Sequence, residues 1–195
     1  MPNRTRTNKI AQVVVQRQQG VVVFEDISDP HNAAAALRSA DAFGFSKIYF
    51  IFEKEVKFDP KRIGKASSSS ANKWLEFSIF TSIEECFATL KQAGFISFAT
   101  VISEKAQSLF ETKFTKPNIA LLFGNEHRGL SETAISLADQ QVTIPMRGMV
   151  ESFNLSVTAA LCMYEVTRQR IQMGMEKYRL PKIEQGKLVK NFLEK

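Results

Sequence analysis

Short apolar runs alternate along this chain with longer segments in which apolar residues recur at helical spacing. Six runs are rich in β-branched and aromatic residues and are bounded by turn residues, which is typical of buried strands. They cover residues 21–25, 47–52, 74–80, 95–101, 119–123 and 141–144. Strands that alternate with helical segments favour the α/β class, with a parallel sheet flanked by helices.

The segments between these strands predict the helices. An alanine-rich helix follows the first strand and ends at Gly44, because glycine commonly terminates helices. Ser82, with Glu85 three residues later, matches the capping box that starts a helix. Further helices are predicted at 6–18, 60–66 and 131–138, from Asn154 through Arg170, and at 182–193.

Two glycine-rich loops, GNEHRG and PMRGMVES, follow the last two predicted strands. Open α/β sheets bind ligands where strand ends meet helix starts. Gly124, Gly129 and Gly148 would allow a close backbone approach or a positive φ, while Ser152 and Asn154 can cap the next helix or reach a ligand. Ordinary turn chemistry explains one such loop equally well, but two adjacent loops with Asn, Glu and Ser beside Gly favour a binding site.

Composition limits the class of protein. A chain of 195 residues with 44% hydrophobic residues and 16 Phe predicts one domain with a sizeable core. No apolar run approaches the roughly 20 residues of a membrane helix, and the N-terminus carries no apolar signal region. Cys86 and Cys162 lie in predicted helices, which favours free thiols in a reducing, cytoplasmic environment. The scattered His and Cys residues give no metal-ligand spacing, so no metal is predicted.

The net charge of +6 is unevenly distributed. Residues 1–20 hold four basic and no acidic residues, and residues 168–195 hold eight basic and three acidic ones. The middle of the chain is therefore mildly acidic. Basic ends around an acidic centre favour a polyanion held by the termini, although a pair of solubilising tails would give the same distribution.

Individual charged residues leave alternatives open. Arg38 interrupts an otherwise apolar helix and requires a partner, either Asp41 one turn later or a bound anion. Glu126, in the first glycine loop, is either a helix-start residue or a ligand contact. His127 has no Ser, Cys or carboxylate at a telling spacing, which favours a loop residue over a general base. The chain lacks the GxGxxG, GxxxxGK[ST] and GxSxG motifs, which argues against common nucleotide sites and the hydrolase elbow.

Three blocks of the chain together resemble the motifs of the SpoU branch of the SPOUT RNA methyltransferases. PHNAAAALRSADAFGF holds Asn32 and Arg38 in motif-one positions, and IALLFGNEHRGLSE matches an apolar strand followed by G-[NQ]-E-x-x-G. TIPMRGMVESFNLSVTAA matches the third motif, with Phe153 where the family usually has Leu. The resemblance covers about residues 4–175 and is greatest for the tRNA 2′-O-methyltransferases that modify the D-loop guanosine at position eighteen.

This resemblance implies a fold and a cofactor. The expected fold is a SPOUT domain over residues 21–170 with a C-terminal deep trefoil knot, and with basic helical extensions at 1–20 and 171–195. The expected cofactor is S-adenosylmethionine, held in a bent form by the knot loops. Its implied contacts are Thr100, Gly124, Ile144 and Phe153. A homodimer is also implied, with Arg38 of one subunit directed toward the cofactor of the other.

The resemblance also implies the chemistry. The residues expected at the catalytic centre are Arg38, Asn32, Glu126, Ser152 and Asn154. Because an arginine pKa lies above about 12, Arg38 is a better electrostatic stabiliser and phosphate clamp than a base. RNA contacts are predicted at Arg4, Arg6, Lys9, Arg168 and Arg170. Methyl transfer to another tRNA or rRNA site, or RNA binding without catalysis on the same fold, remains an alternative.

Overall fold

The computed structural model describes residues 4–63 and 71–195. Residues 60–63 form turns, and the remainder of the helix predicted at 60–66 lies outside the described residues. All the other predicted elements fall within the described ranges.

Within these ranges the strands form one sheet in which all neighbouring strands are parallel. They are β1 (Gln18–Glu25), β2 (Phe45–Ile51), β3 (Glu76–Phe80), β4 (Ile96–Thr100), β5 (Gln107–Ser108), β6 (Ile119–Phe123) and β7 (Gln140–Thr143). Their order across the sheet is β3-β2-β1-β6-β4-β7-β5. The six predicted strands are present, which confirms the parallel α/β class. The two-residue β5 has no apolar run of its own and depends on pairing with β7.

The helices connect these strands and lie on both sides of the sheet. They are α1 (Arg4–Val15), α2 (Pro30–Ala42), α3 (Ile83–Gln92), α4 (Glu132–Leu137), α5 (Leu155–Met173) and α6 (Lys182–Leu193), with a short 3-10 helix at Ala71–Trp74 and another at Met175–Tyr178. No helix in the described ranges is both long and apolar enough to cross a membrane.

Alternate strand residues face two separate helical layers. On one face Phe24 and Leu121 pack in a cluster with residues of α2 and α5. On the other face Val23 and Leu122 pack in a cluster with residues of α3 and α4. The central strands are buried on both faces, which is why they appear in the sequence as continuous apolar runs.

Side chains at the helix starts set where α3 and α5 begin. Ser82 Oγ accepts a hydrogen bond from the Glu85 backbone N–H at 3.3 Å, as the capping pattern predicted. Asn154 Oδ1 accepts from the Ser156 backbone N–H at 2.8 Å. Each cap satisfies an N–H group that the helix leaves without a partner. Asn154 is thereby held at the start of α5, directly after the second glycine-rich loop.

The strand predicted at 21–25 begins earlier in the structure, at Gln18. Gln18 is buried, and its side chain donates to Thr167 Oγ1 at 2.9 Å and accepts from Arg170 at 2.7 Å. Both partners lie on α5, about 150 residues away. Glutamine is a polar residue type that is unfavourable in a buried strand, and hydrogen bonds with distant side chains compensate for its burial here.

The two ends of the chain pack against each other. Ile10 and Val14 of α1 form a small buried cluster with Leu188 and Phe192 of α6 and with Leu180. Burial of these apolar faces holds two basic helices side by side. The basic segments at opposite ends of the sequence therefore form one surface.

Candidate active site

The carboxyl ends of β4, β6 and β7 lie side by side at one edge of the sheet. Thr100, the last residue of β4, pairs in register with Val142 of β7. Its hydroxyl donates to the backbone carbonyl of Leu122 in β6 at 2.8 Å. Because all these strands are parallel, the loops that follow them emerge together. Of the expected cofactor contacts, Thr100, Gly124 and Ile144 lie within two residues of these strand ends.

The first glycine-rich loop closes tightly on itself. The backbones of Asn125 and Gly129 exchange hydrogen bonds at 3.0 and 2.9 Å. A Cβ on Gly124 would lie 2.1 Å from the carbonyl carbon of Gly129, so a side chain at 124 would prevent closure. Gly129 adopts a φ of +68°. Gly124 and Gly129 thus support the loop's own conformation, whereas Gly148 has neither a positive φ nor a close neighbour.

Glu126 projects from this loop to the start of α2. Its Oε2 accepts from the backbone N–H and the hydroxyl of Ser28, at 2.9 and 2.8 Å. Its Oε1 accepts from the backbone N–H of Asp29 and the side-chain amide of Asn32, both at 3.1 Å. The carboxylate therefore ties the first glycine-rich loop to the turn before α2. Ser28 and Asp29 were not predicted as site residues, although the Ser-Asp-Pro turn before the alanine-rich helix was a visible signal.

These contacts determine the ionisation of Glu126. Partial burial acts to raise the pKa of Glu126, but hydrogen bonds from Ser28 and Asn32 outweigh it and hold the pKa below its ordinary value. The carboxylate is ionised at neutral pH and both of its oxygens already accept two hydrogen bonds. It is therefore suited to positioning the loop rather than to removing a proton from a substrate.

A second hydrogen bond extends this network to α5. The side-chain amide of Asn154 donates to Asn32 Oδ1 at 2.9 Å, while Asn154 Oδ1 caps the helix. Asn32 thus donates to Glu126 and accepts from Asn154. Three side chains from distant parts of the sequence thus form one continuous chain of hydrogen bonds, and all three are residues that the motif resemblance implied for the catalytic centre.

Arg38 lies two turns along α2 from Asn32 and is exposed. Its side chain makes no hydrogen bond or ion pair with any other residue in the described ranges. Asp41, the alternative partner considered from the sequence, instead forms an ion pair with the buried Arg17. The interpretation of Arg38 as a structural partner of Asp41 is therefore wrong, and its guanidinium is available to an anion.

The second glycine-rich loop presents apolar side chains beside this network. Phe153 is 41% exposed and Met149 is fully exposed, while Ile144 packs partly against the core. Ser152 is exposed at the end of the loop. Apolar side chains with a few polar groups beside them are the kind of lining that small-molecule ligand sites use.

The residues predicted to bind RNA lie in different environments. Arg4, Arg6 and Lys9 are exposed on α1, as an RNA contact requires. Arg168 forms a bidentate ion pair with Glu165, with N–O distances of 2.7 and 2.8 Å, and its side chain remains 40% exposed.

The predicted RNA contact at Arg170 is wrong. Its side chain is fully buried and donates to Gln18 and to three backbone carbonyls. Its guanidinium carbon also lies 4.9 Å from the ring centre of Tyr178. Burial lowers the pKa of Arg170 to about 10, so the group stays charged at neutral pH. Because the terminal amino groups of Arg170 donate to acceptors within the folded protein, Arg170 cannot contact RNA unless the surrounding structure unfolds.

Comparison with known proteins identifies the family. The family profile described as the SpoU rRNA Methylase family matches residues 19–164. This chain belongs to the SpoU family. The tRNA (guanosine(18)-2′-O)-methyltransferase of Escherichia coli K12 is 35% identical over 191 residues, which cover 96% of this chain and 81% of that protein.

Solved structures of the SpoU family are also similar. The A. aeolicus TrmH/SpoU tRNA modifying enzyme has a TM-score of 0.86 at 28% identity, covering 97% of this chain and 95% of that one. The SpoU methyltransferase AviRb of Streptomyces viridochromogenes, in complex with AdoMet, has a TM-score of 0.67 at 29% identity, covering 88% and 63%. Asn32, Glu126 and Asn154, which form the hydrogen-bonded network, come one from each of the three SpoU motif blocks.

Proposed function

We propose that this protein is an S-adenosylmethionine-dependent RNA 2′-O-methyltransferase that acts in the cytoplasm on the D-loop guanosine at position 18 of tRNA. The observation that carries the proposal is the hydrogen-bonded chain Glu126–Asn32–Asn154 beside the unpaired Arg38. It joins the three SpoU motifs into one site. The identity to the E. coli enzyme, whose name specifies guanosine 18, supports the substrate.

The loops after β4, β6 and β7 fit the cofactor. Phe153 offers a partly exposed aromatic side chain, and Ile144 and Thr100 lie at adjacent strand ends. We assign these residues to the adenosine part of S-adenosylmethionine. Gly124 contributes its backbone only, since its Cα is enclosed by Gly129. The bound cofactor supplies an electrophilic methyl group, and the protein's own residues orient the ribose toward it.

Arg38 is the residue that acts on the RNA. A 2′-hydroxyl is a weak nucleophile until its proton leaves or its developing charge is stabilised. An exposed guanidinium without a protein partner can bind an RNA phosphate bidentately and stabilise that charge. Because Glu126 has its oxygens occupied, we assign the proton to an RNA phosphate held by Arg38. Asn32, Glu126 and Asn154 position the helix that carries Arg38, and we assign the exposed Ser152 to a contact with the ribose.

We further propose a homodimer formed through α5. Val157, Tyr164 and Ile171 are spaced by seven residues on this helix and are 43%, 53% and 64% exposed. Residues seven apart lie on one face of a helix, so they form an apolar stripe. A second copy of the chain packed on this stripe would bring its own Arg38 near the cofactor of the first.

A trefoil knot within the domain at 21–170 is part of the same proposal. Two strands late in the chain, β6 and β7, are each inserted between earlier strands, β6 between β1 and β4 and β7 between β4 and β5. This order is compatible with a chain threaded through an earlier loop, a rare exception among folds. The segments at 1–20 and 171–195 would then serve as basic extensions, although β1 already begins at Gln18.

Methyl incorporation tests the function. The enzyme is incubated with methyl-labelled S-adenosylmethionine and a tRNA transcript, and in parallel with the same tRNA carrying 2′-deoxyguanosine at position 18. We expect label to enter the first tRNA and not the second, because the second lacks the accepting hydroxyl. Equal labelling of both would exclude position 18, and labelling of rRNA alone would indicate a ribosomal substrate. No labelling of any RNA would support the non-catalytic alternative.

A further inference from the structure

A groove lies between the two terminal helices and the 3-10 helix Ala71–Trp74. We call it the terminal groove. Its volume is about 350 Å³, within the range of ligand sites in proteins, about 300–1,000 Å³. Its lining includes Arg6, Lys9, Val13, Arg17, Trp74 and Phe192. Cationic and aromatic groups that line one concave surface together indicate a ligand-binding site.

The positive charge of the terminal groove is only partly used by the protein. Arg17 is buried and paired with Asp41, and it also donates to the backbone carbonyl of Trp74. Arg6 and Lys9 are exposed, and their side chains make no hydrogen bond or ion pair with other residues in the described ranges. Two cations at the rim therefore remain available for an anionic ligand.

The aromatic wall of the terminal groove is formed by Trp74 and Phe192. Their rings meet edge to face, with centroids 5.1 Å apart. Phe192 is 1% exposed and forms the floor, whereas Trp74 is partly exposed. The indole N–H of Trp74 has no acceptor among residues 4–63 and 71–195. A partly exposed indole with an unused donor can both stack on a flat ligand and donate to its edge.

We propose that the terminal groove binds one unstacked nucleotide of the RNA substrate, with its phosphate on Arg6 and Lys9 and its base against Trp74. Bases in loops are recognised by stacking on aromatic side chains, and phosphates by Lys and Arg. An apolar peptide would satisfy neither cation. The proposal rests on the proposed function only in taking RNA as the substrate.

This nucleotide is distinct from the methylated one. The hydrogen-bonded network lies at the start of α2, at Asn32, whereas Asp41 of the terminal groove lies in its last turn. At a rise of about 1.5 Å per residue, Asn32 and Asp41 lie about 14 Å apart along the helix axis. The groove therefore holds a second point of the RNA and fixes its orientation relative to the reacting ribose.

The only tryptophan of the chain is Trp74, so its fluorescence reports on the terminal groove. Unmodified tRNA is titrated into the full-length protein, with correction for RNA absorbance, and poly-glutamate serves as an anion without bases. The blocking variant is Val13→Glu, which adds bulk and negative charge at a residue that is 39% exposed. The control is Ala88→Glu, which adds the same charge on the exposed side of α3, a helix that packs on the opposite face of the sheet.

We expect tRNA to quench Trp74 fluorescence saturably in the wild type and in Ala88→Glu, and poly-glutamate to leave it unchanged. Val13→Glu should abolish the quenching and weaken tRNA binding by about 10-fold or more, the effect of losing about 1–3 kcal/mol of base stacking. Binding of S-adenosylmethionine should not change. If Val13→Glu fails to fold by circular dichroism, Arg6→Gln combined with Lys9→Gln replaces it, since both residues are exposed.

The outcomes separate this proposal from the proposed function. The proposed nucleotide site would be overturned if tRNA is methylated without any quenching, or if the quenching survives in Val13→Glu. Either result would leave the enzyme assignment intact. Equal quenching by poly-glutamate would indicate an acidic protein partner and also overturn it. If tRNA quenches the Trp74 fluorescence saturably but is not methylated, the nucleotide site in the terminal groove is retained and the methyltransferase assignment is refuted.

Discussion

Three arginines that look alike in the sequence have three different environments. Arg38 is exposed and unpaired within the described residues, Arg168 pairs with Glu165 on its own helix, and Arg170 is enclosed by carbonyl groups. The acceptors of Arg170 come from residues 18, 19, 116 and 117. At the scale of single residues, position in the fold therefore decides which guanidinium can meet an RNA phosphate.

Replacing Arg38 by Ala should remove catalysis without removing the fold. We expect methyl transfer to fall by about 100-fold or more, a typical loss for one electrostatic catalytic group. The melting temperature and the affinity for S-adenosylmethionine should stay unchanged, because an exposed, unpaired side chain contributes little to stability. Single-turnover methylation and thermal melts measure the two effects. Near-normal turnover in Arg38→Ala would exclude the proposed role.

At the scale of elements, α2 and α5 link the site to the core. The start of α2 is held by Glu126 from the first glycine-rich loop, and the start of α5 is joined to α2 through Asn154 and Asn32. Further along α5, Arg170 binds the backbone before β6 and the start of β1. The helix thus anchors the sheet at one end and begins at the other with Asn154 of the hydrogen-bonded network.

Arg170→Ala should destabilise the protein far more than Arg168→Ala. Removal of Arg170 leaves buried acceptors unsatisfied, each at a cost of about 1–3 kcal/mol, so we expect a loss of about 3 kcal/mol or more. Arg168→Ala should change the stability much less, because its ion pair is exposed to solvent and Gln169 still donates to Glu165. Urea denaturation at one protein concentration compares them. Similar midpoints for the two variants would contradict the anchoring role of Arg170.

At the scale of the whole molecule, the sheet is covered on both faces while α5 keeps an exposed apolar stripe. The helical layers bury the central strands, and α1 packs with α6 at the ends of the chain. Within the described residues, Phe43 meets the edge of the Tyr164 ring, but Val157, Tyr164 and Ile171 all remain exposed. Exposed apolar stripes of this kind are typical of surfaces that pack against another chain.

Ile171→Glu should therefore dissociate the proposed dimer. We expect the wild type to sediment at twice the 22.0 kDa chain mass and the variant at the mass of one chain. Methyl transfer should be lost together with the dimer if Arg38 acts across it. Ile183→Glu, which alters an isoleucine 76% exposed on α6, is the control and should stay dimeric. A monomeric wild type that still methylates tRNA would refute the interface and the cross-subunit role.

The linear pattern was sufficient for most elements, and the resemblance to the SpoU motifs pointed to the network residues. Apolar runs predicted six of the strands, since a strand buried on both faces needs apolar residues throughout. Short polar caps located the starts of α3 and α5, because the helix end itself requires them. Asn32, Glu126 and Asn154 were predicted from their motif blocks, and the structure brings them within hydrogen-bonding distance.

The remaining features depend on contacts between residues far apart in the chain. The start of β1 at Gln18 and the burial of Arg170 form one interaction across 152 positions, which no local pattern records. Gly124 faces Gly129, and Ser28 binds Glu126 across 98 positions. Local propensity depends on residues that are neighbours in the sequence, whereas tertiary packing determines the partners of buried polar groups. Packing therefore decided that Arg38 stays exposed and unpaired among the described residues, whereas Arg170 is buried and holds the fold.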